Sequence, residues 1–246
     1  MPRHRGRAWG PSLAHFCLSH GRRVVRETVA FLAPVTCAGC GENDVSVCVV
    51  CRDALSRGIL TRTIDGVRVY SAAQYSGCVK RLLLAVKRDG RVDAASALGS
   101  ALHAAVCAAL DDAEGQGIDI AAVPASLRSR RRRGFVPVDL IVRRAGFARS
   151  RVLAWRRRPR DQIGLGRAQR TENLTSAIRS KNVSGRRFIV VDDVVTSGAT
   201  LSECIRALRQ AGGEIVACAT VASTPLRLAT PGSDQSVTRS SPGATV

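Results

Sequence analysis

Two groups of side chains in this sequence have the types and the spacing to do chemistry. The first lies in the segment Phe188 to Thr200, where an apolar run leads into Asp192 and Asp193 and then into a loop of small hydroxylated residues. The second is a set of four cysteines in the pattern C-x2-C-x7-C-x2-C, namely Cys37, Cys40, Cys48 and Cys51. The first group suggests an anion and sugar site, and the second suggests a metal site.

The loop that follows the two aspartates predicts a phosphate-binding site. A helical pattern begins directly after it, so its backbone N–H groups lie at a helix N-terminus, where partial positive charge attracts anions. Gly198 lets the backbone approach an anion closely. Two carboxylates beside such a loop do not suit a second phosphate, but they accept hydrogen bonds from neighbouring hydroxyls. The expected ligand is therefore a ribose 5-phosphate, held by Asp192, Asp193, Val195, Thr196, Ser197, Gly198, Ala199 and Thr200.

Other interpretations of this segment explain less. A buried strand followed by a Ser/Thr helix cap gives no reason for two adjacent carboxylates, which repel each other. The sequence contains no GxxxxGK[ST] loop, and no GxGxxG follows a predicted strand.

The cysteine pattern predicts a zinc site. Each Cys-x-x-Cys pair supplies two thiolates, and two pairs complete a tetrahedron around the ion. In a cytosolic chain this spacing favours metal over disulfides. Because four protein ligands close the site, the expected role is structural. A set of free thiols is the alternative.

The elements that must position these groups alternate between strands and helices from residue 118 onward. Predicted strands cover 118–124, 151–155, 186–193 and 214–223, and predicted helices cover 137–145 and 199–213. Further toward the N-terminus we expect a strand at 66–75 and helices at 77–86 and 93–110. Strands that alternate with helices predict an α/β fold with an open, mainly parallel sheet, whose ligands bind beyond the carboxyl ends of the strands.

Composition limits the remaining function classes. The 246 residues are 45% hydrophobic, which allows a core of ordinary size, and we expect no membrane-spanning helix and a cytoplasmic location. The formal net charge is +19, from 38 basic and 19 acidic residues, which favours polyanionic partners. Aromatic residues make up 4%, which argues against stacking platforms for single-stranded nucleic acid.

The chain divides into four predicted parts. Residues 1–30 form a basic extension with a possible helix, and residues 31–60 form the four-cysteine zinc finger. The main domain covers 61–223, and the Ser-, Thr-, Pro- and Gly-rich residues 224–246 are expected to be a disordered tail.

Segment 188–200 resembles the phosphoribosyl-pyrophosphate signature of the type I phosphoribosyltransferases at every position. Together with the cysteines, the chain resembles the ComF family of competence-related, phosphoribosyltransferase-like proteins over about residues 30 to 222. The motifs that carry this resemblance are Tyr75, Lys87, Gly90, Val123-Pro124, Arg133-Gly134-Phe135, Gln162, Leu165, Arg170 and Asn173.

The resemblance implies binding of phosphoribosyl pyrophosphate with magnesium and transfer of phosphoribose to an acceptor, with Arg133 and Arg170 as catalytic candidates. The family usually has Val-Pro-Val-Pro and Arg-Gly-Phe-Asn-Gln, whereas Ala125-Ser126 and Val136-Pro137 stand here instead. Those departures lie where relatives hold pyrophosphate, so they leave turnover open. The alternative is a non-enzymatic accessory factor for DNA uptake and transformation that binds a helicase and single-stranded DNA. The arginine-rich loops, Arg128 with Arg130 to Arg133 and residues 156–173, could neutralise the departing pyrophosphate, form a track for a nucleic-acid backbone or be a solvated surface.

Overall fold

We describe the protein from a computed structural model, which covers residues 35–113, 116–125, 134–156 and 176–225. The strands are β1 (Leu60–Ile64), β2 (Val67–Gln74), β3 (Ile118–Ala122), β4 (Arg149–Ser150), β5 (Leu153–Trp155), β6 (Ile178–Ser180), β7 (Arg187–Val195) and β8 (Glu214–Ser223). The helices are α1 (Val49–Asp53), α2 (Gly77–Arg88), α3 (Ala95–Asp111), α4 (Pro137–Arg144) and α5 (Ala199–Gln210), with a 3-10 turn at Val92–Ala94.

Six strands form one sheet in the order β1-β2-β8-β7-β3-β4. β1 runs antiparallel to β2, and all other neighbours in this sheet are parallel. Parallel neighbours require crossover connections, and the helices supply them. The prediction of an α/β, mainly parallel sheet flanked by helices is therefore confirmed.

The central strands are buried on both faces, as expected where helices cover each side of a parallel sheet. One face packs against α2, α3 and α4 and contains Ile189 and Val191 of β7. The opposite face packs against α5 and contains Phe188 and Val190. Because consecutive side chains of a strand point to opposite faces, β7 contributes to both cores.

The helix that begins at the 3-10 turn is a core helix of this domain. Val92–Asp111 is the one described helical segment whose length and mean hydropathy of 1.3 would allow it to cross a membrane. Its Leu98, Leu102 and Val106 are fully buried in the packed layer between the sheet and α4. These three residues recur at helical spacing and face the protein interior, whereas Leu110 near the end of the helix is exposed.

A second, two-stranded sheet made of β5 and β6 packs beside α5. Glu203 of α5 accepts a hydrogen bond from the Ile178 amide at 2.9 Å, and Arg206 donates to the Ile178 carbonyl at 3.0 Å. The two side chains satisfy the backbone of β6 as a neighbouring strand would.

Three local differences from the sequence predictions affect the site. β1 was not expected, because Leu60–Ile64 is an exposed edge strand that alternates only partly. β6 lies in a stretch for which no strand was predicted. β7 continues to Val195, so Asp192 and Asp193 lie inside the strand and not at its end.

Candidate functional site

The loop between β7 and α5 turns on Gly198. Its φ angle is +86°, in the left-handed region that favours glycine, and a Cβ atom here would lie 2.5 Å from Ile64 Cδ1. The left-handed backbone therefore strains any other residue here, and an added Cβ atom would also require the end of the Ile64 side chain to move. The glycine predicted to allow close approach of an anion is also required by the neighbouring strand β1.

The N-terminus of α5 has backbone amides that donate to no acceptor among the described residues. The Ser202 amide donates to the Gly198 carbonyl at 2.9 Å, but the amides of the preceding first turn have no intrahelical partner. Within the described part of the chain, the amides of Ser197, Gly198 and Thr200 donate to no acceptor. Together with the partial positive charge of the helix end, they form an arrangement suited to a phosphate group.

Residues distant in sequence fix the carbonyl side of this loop. Arg62 of β1 donates from Nη2 to the Thr196 carbonyl at 2.9 Å, across 134 residues of sequence. The Thr224 amide, which follows β8, donates to the Val195 carbonyl at 3.0 Å. Groups from β1 and from the residue after β8 thus hold the carbonyls of Val195 and Thr196 in place.

The two aspartates point to opposite faces of the sheet. Asp192 follows the alternation of Phe188 and Val190 toward α5, and Asp193 follows that of Ile189 and Val191 toward α2. Asp192 Oδ1 accepts a hydrogen bond from the Asp193 amide at 2.8 Å. The doublet therefore straddles the sheet beside the loop, two residues before the strand ends.

Asp193 forms an ion pair with Lys87 of α2. The Lys87 Nζ atom lies 2.7 Å from Asp193 Oδ2, and the Asp193 side chain is 6% exposed. Attraction to Asp193 outweighs burial and raises the pKa of Lys87, with a smaller contribution from Asp192. The carboxylate thus has a cationic partner at neutral pH.

Asp192 is in a different electrostatic state. Burial and the charge of Asp193 raise the pKa of Asp192 to about 8, although Lys87 acts in the opposite direction. At neutral pH Asp192 therefore favours its protonated form. A carboxyl in this state can donate a hydrogen bond to a hydroxyl as well as accept one.

The four cysteines predicted as metal ligands lie together. Their Sγ atoms are all within 4.8 Å of one another, and Cys40 Sγ and Cys48 Sγ are 3.5 Å apart. Tetrahedral zinc with Zn–S bonds of ~2.3 Å requires sulfur separations of roughly 3.8 Å. The cluster has the donor set and the spacing to hold such an ion.

The thiol environment also fits a cation. Burial raises the pKa of Cys37, but hydrogen bonds from backbone amides, first among them that of Cys48, outweigh burial and lower it to about 6. Burial and the neighbouring thiols raise the pKa of Cys51. Four thiolates at this separation repel one another, so a bound cation is what would allow all four to ionise.

Several predicted residues lie outside the described ranges. Arg133 and Arg170, the catalytic candidates, are among them, as are Gln162, Leu165 and Asn173 and most of the arginine-rich loops. Their roles stay predictions. The contributions of Arg62 and Ile64 were missed, because nothing in the sequence marks an edge strand as the support of a distant loop. Lys87 was noted as a motif residue, but its pairing with Asp193 was not foreseen.

A cavity of about 520 Å³ opens at the carboxyl end of β3, next to β7 in the sheet. Phe135 and Trp155 contribute aromatic surface to it, and Trp155 Nε1 donates to the Pro124 carbonyl at 2.7 Å. Ala125 and Val136, two of the departures from the family pattern, both line this cavity. The structure thus brings the two departing motifs into one space.

Comparison with known families supports this description of the site. Residues 131–240 match the family model described as a phosphoribosyl transferase domain. That range contains the aspartate doublet, the loop at Gly198 and α5. Together with the fold and the cysteine cluster, the match describes a phosphoribosyltransferase-like protein that carries a four-cysteine motif.

Individual relatives match over short stretches. The chain is 39% identical over 64 residues to an orotate phosphoribosyltransferase of Mycobacterium leprae, which is 26% of this chain and 36% of that protein. It is 54% identical over 41 residues to the transcriptional regulator GfcR of Halobacterium salinarum, covering 17% and 19% of the two chains. The chain thus spans about a third or less of the length of these relatives. A solved structure of Leishmania donovani UMP synthase aligns with a TM-score of 0.32 and 20% identity, over 70% of this chain and 30% of that one.

Proposed function

We propose that the protein binds phosphoribosyl pyrophosphate with magnesium and transfers phosphoribose to an acceptor. The observation that carries this proposal is the joint placement of open amides at the N-terminus of α5 and the aspartate doublet of β7. A loop that binds a terminal phosphate and two carboxyls that bind a diol match the two ends of a ribose 5-phosphate. The family match over residues 131–240 supports the same ligand class.

In the proposed reaction, the bond between the anomeric carbon and pyrophosphate breaks and a bond to the acceptor forms. The amides and hydroxyls of residues 196–200 anchor the 5-phosphate, and Asp192 and Asp193 bind the 2- and 3-hydroxyls. These contacts hold the ring while positive charge develops at the anomeric carbon, so positioning and electrostatics supply the rate. Magnesium would be held mainly by pyrophosphate oxygens and water, since Mg²⁺ keeps several waters when bound.

The cysteine cluster is proposed to hold one zinc ion with a structural role. All four positions are protein thiols, so no coordination position is left for substrate. The helicase and single-stranded DNA partners of the accessory-factor alternative remain predictions from the family resemblance.

Ligand-induced thermal stabilisation tests the binding proposal. Millimolar phosphoribosyl pyrophosphate with magnesium should raise the Tm of the wild-type protein by several degrees, because ligand binds the folded state alone. Ribose 5-phosphate should give a smaller shift. Asp193→Asn should abolish both shifts, since a buried amide beside Lys87 cannot replace the carboxylate.

Asp119→Asn is the matched control, since Asp119 pairs with Arg186 at the opposite end of the sheet. This variant should keep the full ligand-induced shift. Absence of any shift in the wild-type protein at millimolar ligand would refute binding. If phosphoribosyl pyrophosphate binds but no tested acceptor causes release of pyrophosphate, the protein senses this ligand and does not transfer phosphoribose.

A further inference from the structure

We propose that Lys87 is the positioning residue of the aspartate doublet and that the four-cysteine module, residues 36–53, holds it in place through helix α2. The inference rests on the proposed function, because it assigns the control of that same sugar site. Lys87 lies near the C-terminal end of α2, and contacts with the four-cysteine module anchor this helix.

The first step is the charge at Asp193. The Lys87 ammonium is the cation that the described residues place on this carboxylate, at 2.7 Å. Among the described residues, Cys204 of α5 and Cys218 of β8 also interact with Asp192, and Tyr75, which follows β2, interacts with Lys87. None of these supplies positive charge at neutral pH. Without Lys87, a buried carboxylate beside Asp192 would take up a proton or move toward water.

The second step is what the ion pair does for a sugar ligand. Lys87 contacts Oδ2 of Asp193, which leaves Oδ1 to accept hydrogen bonds from hydroxyls. The Lys87 side chain is about one-third exposed, which places its end at the boundary between the core and the solvent. Lys87 thus fixes both the charge and the direction of Asp193 before a ligand arrives.

The third step is the anchoring of α2. Arg81 donates from Nε to the carbonyl of Gly39, which lies between Cys37 and Cys40. A Cβ atom on Gly39 would lie 2.6 Å from Cys51 Sγ and 3.3 Å from Leu82 Cγ, so α2 packs directly against the cysteine cluster. Beyond the helix, Arg91 donates to the Thr36 carbonyl at 2.7 Å. These contacts hold both flanks of Lys87 to the module.

The route from one site to the other is therefore short and continuous. Leu82 contacts the cluster and Lys87 contacts Asp193, with one and a half helical turns between them. A helix of this length transmits displacement as a rigid unit. Loss of order in the cysteine module should thus displace the Lys87 ammonium and weaken the sugar site without touching β7.

Lys87→Met tests the positioning role, with ribose 5-phosphate as the probe. We expect affinity at pH 7 to fall about tenfold, a change of about 1.4 kcal/mol. Losing the cation raises the pKa of the doublet, so the pH below which binding is lost should move upward by roughly one unit. Lys87→Arg should restore both properties. Lys80→Met, an exposed lysine on the same helix, is the control and should change neither.

An unchanged pH profile in Lys87→Met would overturn the proposal, even if affinity fell. The apparent pKa values of the doublet can also be followed by NMR of the aspartate carboxyls in the ligand-free protein. If the wild type binds neither ribose 5-phosphate nor phosphoribosyl pyrophosphate, the proposed function falls. The NMR titration then still decides whether Lys87 controls the doublet.

Metal removal tests the connection through α2. Chelation of the cysteine module should weaken ribose 5-phosphate binding several-fold in the wild type but should add nothing in Lys87→Met, because the connecting residue is already absent. Equal losses in both proteins would show that the module acts elsewhere. No loss in the wild type would overturn the connection.

Discussion

The four-cysteine module and the proposed sugar site, formed by Asp192, Asp193 and the loop at Gly198, differ in how their geometry is made. The cysteines come from one stretch of fifteen residues, and backbone amides of that same stretch donate to Cys37 Sγ. The sugar site takes its loop and doublet from one segment, but its supports come from β1, α2 and the residue after β8. The module is thus largely local, whereas the sugar site depends on the complete sheet.

The difference shows which sites a sequence describes fully. Local spacing determines a cluster whose ligands and supporting amides lie in the same short loop. A site at the edge of a sheet depends on partners that spacing cannot identify. We therefore expect damage to the module to remove a bound ion first, and damage to the sugar site to appear through its distant supports.

The largest expected effect comes from Cys51→Ser, because Cys51 is 1% exposed and completes the cluster. We expect loss of the one zinc ion per chain and a Tm lower by roughly 10 °C or more, since metal binding contributes to folding. Metal analysis and calorimetry measure both. Cys107→Ser, which lies on α3 outside the cluster, is the control and should keep the ion.

Full metal content in Cys51→Ser would contradict the structural assignment of the module. A preparation of the wild type without zinc, after purification under reducing conditions, would do the same.

A smaller effect is expected at the sugar site from Gly198→Ala. The added methyl meets Ile64 and the φ of +86° strains alanine, so unfolding free energy should fall by about 2–4 kcal/mol. Gly185→Ala carries a φ of +73° with nothing within 4 Å, and should cost about 1 kcal/mol. Urea unfolding measures the difference, which isolates the support given by β1. Equal losses of unfolding free energy in Gly198→Ala and Gly185→Ala would mean that the Ile64 side chain moves aside and that β1 does not support the loop.

The smallest effect is the pH dependence of Asp192→Asn. A carboxyl whose folded pKa lies near 8, above its ordinary value, contributes stability below that ordinary value and loses it as pH rises through 8. Asp192→Asn removes this loss, so its Tm should exceed that of the wild type at pH 9 by about 5 °C and approach it near pH 5. Calorimetry of both proteins between pH 5 and pH 9 measures this difference in Tm. Parallel Tm curves for the two proteins would show that Asp192 is ionised throughout.

Much of the fold could be predicted from the sequence, since the buried strands are continuous apolar runs and the helices have clear apolar stripes. The predicted helix at 137–145 and the strand at 214–223 correspond to α4 and β8 almost residue for residue. The edge strand β1 could not be predicted in this way, because its side chains are partly exposed and its pairing with β2 supplies the order.

The candidate site was predictable in its ligand-facing residues and not in its electrostatics. Order and spacing identified the doublet and the loop. Asp192 and Asp193 point to opposite faces of the sheet because β7 continues to Val195. This could not be predicted, because the two acidic residues suggested that the strand ends there. The partner of Asp193 lies on a helix that packs beside the sheet only after folding, so spacing alone could not select Lys87.

The position of β8 has a consequence for biosynthesis. This strand joins β2 to β7 and is the last described strand along the chain. Among the described strands of the main sheet, it alone pairs the β1–β2 hairpin with the rest. Until residues 214–223 have emerged from the ribosome, the two parts expose strand edges that can pair with other chains. Nascent chains stalled before this point should therefore be sensitive to protease and dependent on chaperones.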